Sequence, residues 1–304
     1  MKTIEYRVVS ADFYNNCLNK TNELLDQISV YTNKSKLKIT PSDIILYFES
    51  HYNILFNFFD SNHSNRYIKF KHLVQNYRFN PLDQRIVNRM SGVTIPEEDR
   101  FVIMLNQTMP LPRIIFTILH ELCHLHFHNL EENGRIFASK FSGNYPDELI
   151  PFEDEANVTA SLLFCPTVKL EALLNKNLSF NKVKTMTNMS RKALHSRLLN
   201  YFIHISGLSH DEALSLVLNY KEGRYSSSIT IKKLINKRSS EKLTQTPLPV
   251  KISKGYTLNH QSCVKFLRNL SIKELIFELE YAHSTNNHSL EQLVMNEYYK
   301  KVVK

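Results

Sequence analysis

Glycine and proline are scarce in this chain, 6 and 10 among 304 residues. That excludes collagen-like repeats and Pro/Gly-rich low-complexity chains. Cysteine is scarce too: Cys17, Cys123, Cys165 and Cys263, with no CxxC pair. Their wide, irregular spacing gives neither a disulfide framework nor a cysteine metal site, so four reduced thiols are expected. No apolar run comes near the roughly 20 residues that a membrane-spanning helix needs. The N-terminus, MKTIEYRVVSADFY, has no apolar core or small-residue cleavage site of a secretion signal. These absences lead to the expectation of a cytoplasmic protein with no membrane partner.

What is present is an ordinary globular balance, 42% hydrophobic and 22% charged, which a disordered chain would not have. The length lies between one large domain and two ordinary ones. The net charge of +9 is unevenly spread. Residues 1–166 carry 16 Lys+Arg against 19 Asp+Glu, and residues 167–304 carry 22 against 10. The second half therefore has the balance of a region that meets an anionic partner.

Amphipathic spacing predicts a helix over about 10–31, and Pro41-Ser42-Asp43 opens a second. Ile54–Phe59, Gly92–Ile95 and Phe101–Leu105 read as strands. Helices are expected at about 113–128 and 152–164, with a loop between them containing Gly134, Gly143 and Pro146. Further helices are expected at 167–176, 179–188, 190–205 and 209–221, with a turn or short hairpin in 221–231. Lys237–Gly255, with Pro247 and Pro249, reads as a linker, and two helices at about 259–282 and 288–303 close the chain. The mix is mainly α with a small sheet.

The sharpest feature is His120-Glu121-Leu122-Cys123-His124, an HExxH inside the helix at 113–128. Histidines four apart lie on one helix face, one turn above the other, so both imidazoles reach one zinc ion at about 2.0–2.1 Å. Glu121 lies beside the first ligand and reaches a water on the open coordination position. Zinc lowers that water's pKa to near 7, and Glu121 acts as general base. A hydrolytic zinc site wants a third protein ligand. The segment FEDEANVTASLLFCP, Phe152–Pro166, offers a glutamate on a second helix, and small Ala156 and Ala160 allow two helices to pack closely.

Two blocks together resemble the ImmA/IrrE family of metallopeptidases. The first runs from Ile103-Met104-Leu105-Asn106 through Arg113, Phe116 and Thr117 to His120-Glu121-Leu122-Cys123-His124. It is similar to the family's strand ending in Asn, followed by R-x-x-F-T-x-x-H-E-x-G-H. The second, Glu153-Asp154-Glu155-Ala156-Asn157 with Ala160, Leu162, Leu163 and Pro166, is similar to E-x-x-A-N and the apolar run to a proline. The resemblance spans about 36–205. It implies an α+β, mainly helical zincin-like fold, with Zn2+ held by His120, His124 and Glu153 and Glu121 catalytic; Glu155 is a fallback ligand. It also implies a protein substrate, a transcriptional regulator such as a repressor. Where the family has Gly between the histidines, this chain has Cys123, whose side chain sits close to the zinc face. Two histidines and a carboxylate also suit other divalent metals.

The expected organisation is an N-terminal helical segment at 1–35 and the metallopeptidase core at 36–166. A helix-turn-helix-like extension follows at 167–205, then a basic helical region at 206–304 that senses a signal or docks a partner. In the extension Ser190 is an N-cap, and Arg191, Lys192, His195 and Arg197 are expected to decorate the following helix. A non-proteolytic regulator whose basic half binds DNA or protein is the alternative, with DNA the less favoured partner.

Several residues near the motif carry open alternatives. His126 points about 120° away from the metal face. His128, four after His124, and Tyr145 are candidates for stabilising the tetrahedral intermediate. Arg113 either braces structure or binds a carboxylate. Asn106 either holds a substrate backbone or closes its own turn.

Overall fold

A computed structural model describes residues 8–63, 67–128, 137–140, 145–244, 250–258 and 260–302. Gly134, Gly143, Pro247 and Pro249 lie outside the described residues. The chain divides into two compact units, Met1–Ile235 and Asn236–Lys304. The arrangement is α+β and mainly helical. Among the described residues, no single helix is long and apolar enough to cross a membrane.

The first unit opens with α1 (Ala11–Thr32), whose N-cap Ser10 accepts a hydrogen bond from the Phe13 amide. Tyr14, Cys17, Thr21, Leu24, Leu25 and Ile28 recur at helical spacing and are its buried face. Helix α2 (Pro41–His51) starts from a Thr40–Asp43 capping box with a proline in its first turn. Five strands follow: β1 (Ile54–Phe59), β2 (Tyr77–Phe79), β3 (Met90–Pro96), β4 (Phe101–Asn106) and β5 (Phe137–Lys140). They form one mixed sheet in the order β2-β1-β4-β3-β5. Strand β1 runs parallel to β2 and β4, while β3 is antiparallel to β4 and β5. The short helix α3 (Gln84–Val87) precedes β3. The stretch at 129–150, expected to be a loop, thus contains an edge strand.

Helix α4 (Leu111–Phe127) positions the site, and it is buried along two stripes. Ile114, Ile118, Leu122 and Leu125 join a core with Ile54, Phe56 and Phe58 of β1 and Ile103 and Leu105 of β4. Each such side chain contributes roughly 1.5–3 kcal/mol by leaving water. The second stripe, Thr117, His120, Glu121 and His124, is polar and equally buried. Helix α5 (Ile150–Phe164) crosses α4, and Ala156 and Ala160, both fully buried, keep the approach close.

The remaining helices of this unit are α6 (Thr167–Asn175), α7 (Phe180–Thr187), α8 (Arg191–Asn200) and α9 (His210–Lys221), with a π turn at Tyr201–Ile205 after α8. Then α10 (Tyr225–Thr244) occupies the stretch where a hairpin was an option. Gly223, at φ +79°, closes α9 and only a brief turn intervenes. Ser227, Ile231 and Ile235, four apart, are all buried. That helical stripe outweighs the β-branched run Ile229-Thr230-Ile231 that favours a strand.

The second unit holds a small hairpin, β6 (Val250–Lys251) and β7 (Thr257–Leu258), and three helices, α11 (His260–Arg268), α12 (Ile272–Ser284) and α13 (His288–Val302). The single helix expected at 259–282 is two, because Ser271 and Glu274 form a capping box that starts α12 afresh. Cys263, Leu267, Leu275, Ala282, Leu290 and Val294 are its core.

Candidate metal centre

His120, Glu121 and His124 come from consecutive turns of α4, and Glu153 comes from the first turn of α5. His120 Nε2 and His124 Nε2 are 3.0 Å apart. Glu153 Oε2 lies 3.3 Å from the first, and Oε1 lies 3.6 Å from the second. Four-coordinate zinc with bonds of 2.0–2.1 Å separates neighbouring ligand atoms by about 3.3 Å. The three side chains thus already have the mutual spacing that one tetrahedral ion requires.

Their surroundings favour a bound cation. Glu153 is fully buried, yet among the described residues neither carboxylate oxygen has a hydrogen-bond partner. An uncompensated buried carboxylate costs several kcal/mol, and a bound cation removes that cost. Burial, reinforced by the neighbouring imidazoles of His120 and His124's other neighbour His128, holds the His124 pKa well below its ordinary value. The ring is therefore neutral and offers a lone pair. The donor set of two imidazoles and a carboxylate fits a zinc-type ion.

Glu121 is fully buried. Its Oε2 accepts a hydrogen bond of 2.7 Å from Thr94 Oγ1 on β3, which fixes the plane of the carboxylate. Strand β3 comes this close because of Gly92. A Cβ there would fall 2.6 Å from Thr117 Cγ2 and 3.1 Å from Glu121 Oε1. The glycine serves packing here, between a strand and the polar stripe of α4.

His128 stands behind His124, away from Nε2. Its Nδ1 is 2.8 Å from His124 Nδ1, and its Nε2 is 3.4 Å from Glu155 Oε2. Glu155 in turn meets Lys20 of α1 at 2.5 Å. The fallback ligand Glu155 therefore faces His128 and Lys20 rather than the Nε2 pair. His126 pairs with the Tyr52 hydroxyl at 2.8 Å and sits edge-on to Phe48, on another face from the site.

Asn106 is fully buried and closes its own turn: its amide donates to the carbonyls of Val87 and Met90, and its carbonyl accepts from Thr108. With β4 paired on both sides, it has no sheet edge to offer a substrate. Arg113 is half-buried near Tyr145, and desolvation lowers its pKa. Cys123 points into the main core, and burial pushes its thiol well above the usual range.

One expectation is corrected by the second helical region. Arg197 does not decorate the surface of α8, being 1% exposed. Its Nε donates to the Cys165 carbonyl at the end of α5, and its other nitrogens reach Thr167 Oγ1 and the Tyr14 hydroxyl. A freed carbonyl at a helix end inside the core demands such a donor. Arg191 is exposed, as expected, and lies over the Phe180 ring.

Sequence reasoning missed the roles of Thr94, Glu155 and Lys20. His128 had a visible signal, its i+4 spacing from His124. Thr94 and Lys20 meet the site through tertiary packing and had none.

Residues 77–199 match the family profile of the IrrE N-terminal-like domain, Peptidase_M78. The match runs from β2 to the end of α8 and contains all four residues of the HExxH and Glu153 set. Helices α1 and α2 and strand β1 precede it. A search of curated proteins finds no match. Residues 77–199 are thus similar to the IrrE N-terminal-like domain of Peptidase_M78, in accord with the ImmA/IrrE resemblance of the motifs.

Proposed function

We propose that the protein is a zinc-dependent endopeptidase that cleaves a regulatory protein such as a transcriptional repressor. The observation that carries this reading is the buried carboxylate of Glu153, without a hydrogen-bond partner among the described residues, facing two imidazoles beside Glu121. His120, His124 and Glu153 would hold the ion. When bound, it would supply Lewis acidity toward a water and the scissile carbonyl. Glu121, held in orientation by Thr94, takes the proton of the attacking water and returns it to the leaving amine. The regulatory substrate follows from the family resemblance, since such enzymes act on few targets. The excess of Lys and Arg in residues 167–304 suits recognition of an acidic partner, or restraint of the site until a signal arrives.

The test compares new protein N-termini in host cells expressing the wild type or Glu121→Gln, with zinc content measured on both purified proteins. Cleavage products seen only with the wild type, at equal zinc content, support the reading and name the substrate. Identical N-termini in both, under stress as well as at rest, would sink it.

A further inference from the structure

We propose that His128 is a positioning residue for His124, and that α1 holds it in that role through Lys20 and Glu155. This assignment rests on the metal site proposed above and deepens it.

A histidine that gives its Nε2 lone pair to a cation must carry its proton on Nδ1. In His124, Nδ1 lies 2.8 Å from His128 Nδ1. The His128 nitrogen must then be the acceptor, which puts the His128 proton on Nε2. That N–H faces Glu155 Oε2 at 3.4 Å, and a carboxylate can only accept. The other oxygen of Glu155 accepts from the Lys20 ammonium at 2.5 Å. Every link fixes the direction of the next, and the direction that results is the one His124 needs as a ligand. The reverse assignment would point the His124 proton at the ion.

The chain of bonds is enclosed. The side chains of His124 and His128 are 0% and 2% exposed. His128 sits edge-on to the Phe152 ring. Lys20 also lies over the ring of Phe127, so one residue of α1 touches both α4 and α5. Tyr14 and Cys17 of α1 pack with Val158 and Leu162 of α5 and keep that helix in place. The other ligand differs: His120 Nδ1 is buried and has no hydrogen-bond partner among the described residues. Only His124 is braced this way, and the brace starts from a helix that precedes the matched residues 77–199.

Ligand-orienting partners typically change metal affinity by 10–100-fold. The experiment uses the full chain, stripped of metal and titrated with Zn2+ against a chromophoric chelator, with Co2+ absorption as a readout of ligand geometry. His128→Phe is expected to weaken Zn2+ binding by about 10–100-fold and to alter the Co2+ spectrum. His128→Gln, which keeps an acceptor for Nδ1–H, should recover most of the loss. A folded His128→Phe protein that binds Zn2+ as the wild type does, or a Gln variant as poor as Phe, overturns the proposal. Histidine 15N–1H correlation spectra of the zinc-loaded wild type give a readout free of folding effects. Nδ1–H on His124 with Nε2–H on His128 is expected, and Nδ1–H on His128 overturns it. Glu153→Ala is the control that separates the two claims. If the wild type takes up no metal, the metal site itself fails. If it does so and Glu153→Ala does not, a normal His128→Phe refutes the brace alone.

Discussion

Glu153 in the first unit and Glu278 in the second are buried alike, at 0% and 2% exposed, but their surroundings are opposite. Glu278 accepts from the amide and the hydroxyl of Ser253 and so closes the turn between β6 and β7. Its charge is compensated by the chain. Among the described residues Glu153 has no such donor on either oxygen and faces the imidazole nitrogens of His120 and His124. A fold has no reason of its own to bury a charge uncompensated, since the cost is several kcal/mol. The second unit shows how this chain satisfies a buried carboxylate when structure is the only concern. Among the described residues the first unit departs from that practice at Glu153, beside two imidazoles that with it could hold a cation.

The largest expected effect tests what the departure is for. Glu121→Gln keeps the Thr94 contact in shape but removes the base. Peptide hydrolysis is expected to fall by about 10²–10⁴-fold with zinc content unchanged, measured on the cleavage product identified in cells. Loss of zinc in that variant would instead make Glu121 part of the ligand set.

Glu153→Gln is expected to weaken zinc binding by more than about 100-fold, beyond the range of an outer partner. The metal-free protein should melt no lower than the metal-free wild type, because a buried charge without a donor has been removed. Glu278→Ala should do the reverse. It leaves the Ser253 donors unmatched, costs about 1–3 kcal/mol, and leaves zinc affinity where it was. Thermal melting with and without chelator reads both signs. If both substitutions destabilise the metal-free protein alike, the contrast between the two units is lost.

Much of this was legible in the sequence because the signals are local. The ligand pair rests on i+4 spacing, and α1, α2 and the three longer strands follow from period and capping residues. Glu153 was reached through the resemblance of its motif, since the residue types alone left Glu155 open. Non-local features stayed hidden. Strand β5 is four residues long and takes its place by pairing with β3. The hydrogen bond from Thr94 depends on where Gly92 lets β3 run. Arg197 looked like a surface base because its stretch is polar. The helix end at Cys165 that draws it inward is 32 residues away in sequence. Composition reports what a segment contains, and burial is decided by what packs upon it.

The smallest effect sharpens the comparison with a third carboxylate. Asp43 in the α2 capping box is shielded, and burial alone would raise its pKa. Hydrogen bonds from Lys34 and Thr40 outweigh that and hold it below 3.8. A carboxylate depressed in the folded state stabilises fully above its unfolded pKa, and that contribution fades as pH falls through the folded value. Asp43→Asn should therefore lower the melting temperature of the metal-free protein at pH 7 by an amount that shrinks below about pH 3.8. The loss at pH 7 is that of a weakened capping box, about 0.5–1 kcal/mol, because an asparagine at this third helical position still offers a carbonyl to the Thr40 amide. Glu153→Gln should show no such loss at pH 7 in the metal-free protein. The two substitutions remove the same charge, and only the one that the fold has compensated should be missed.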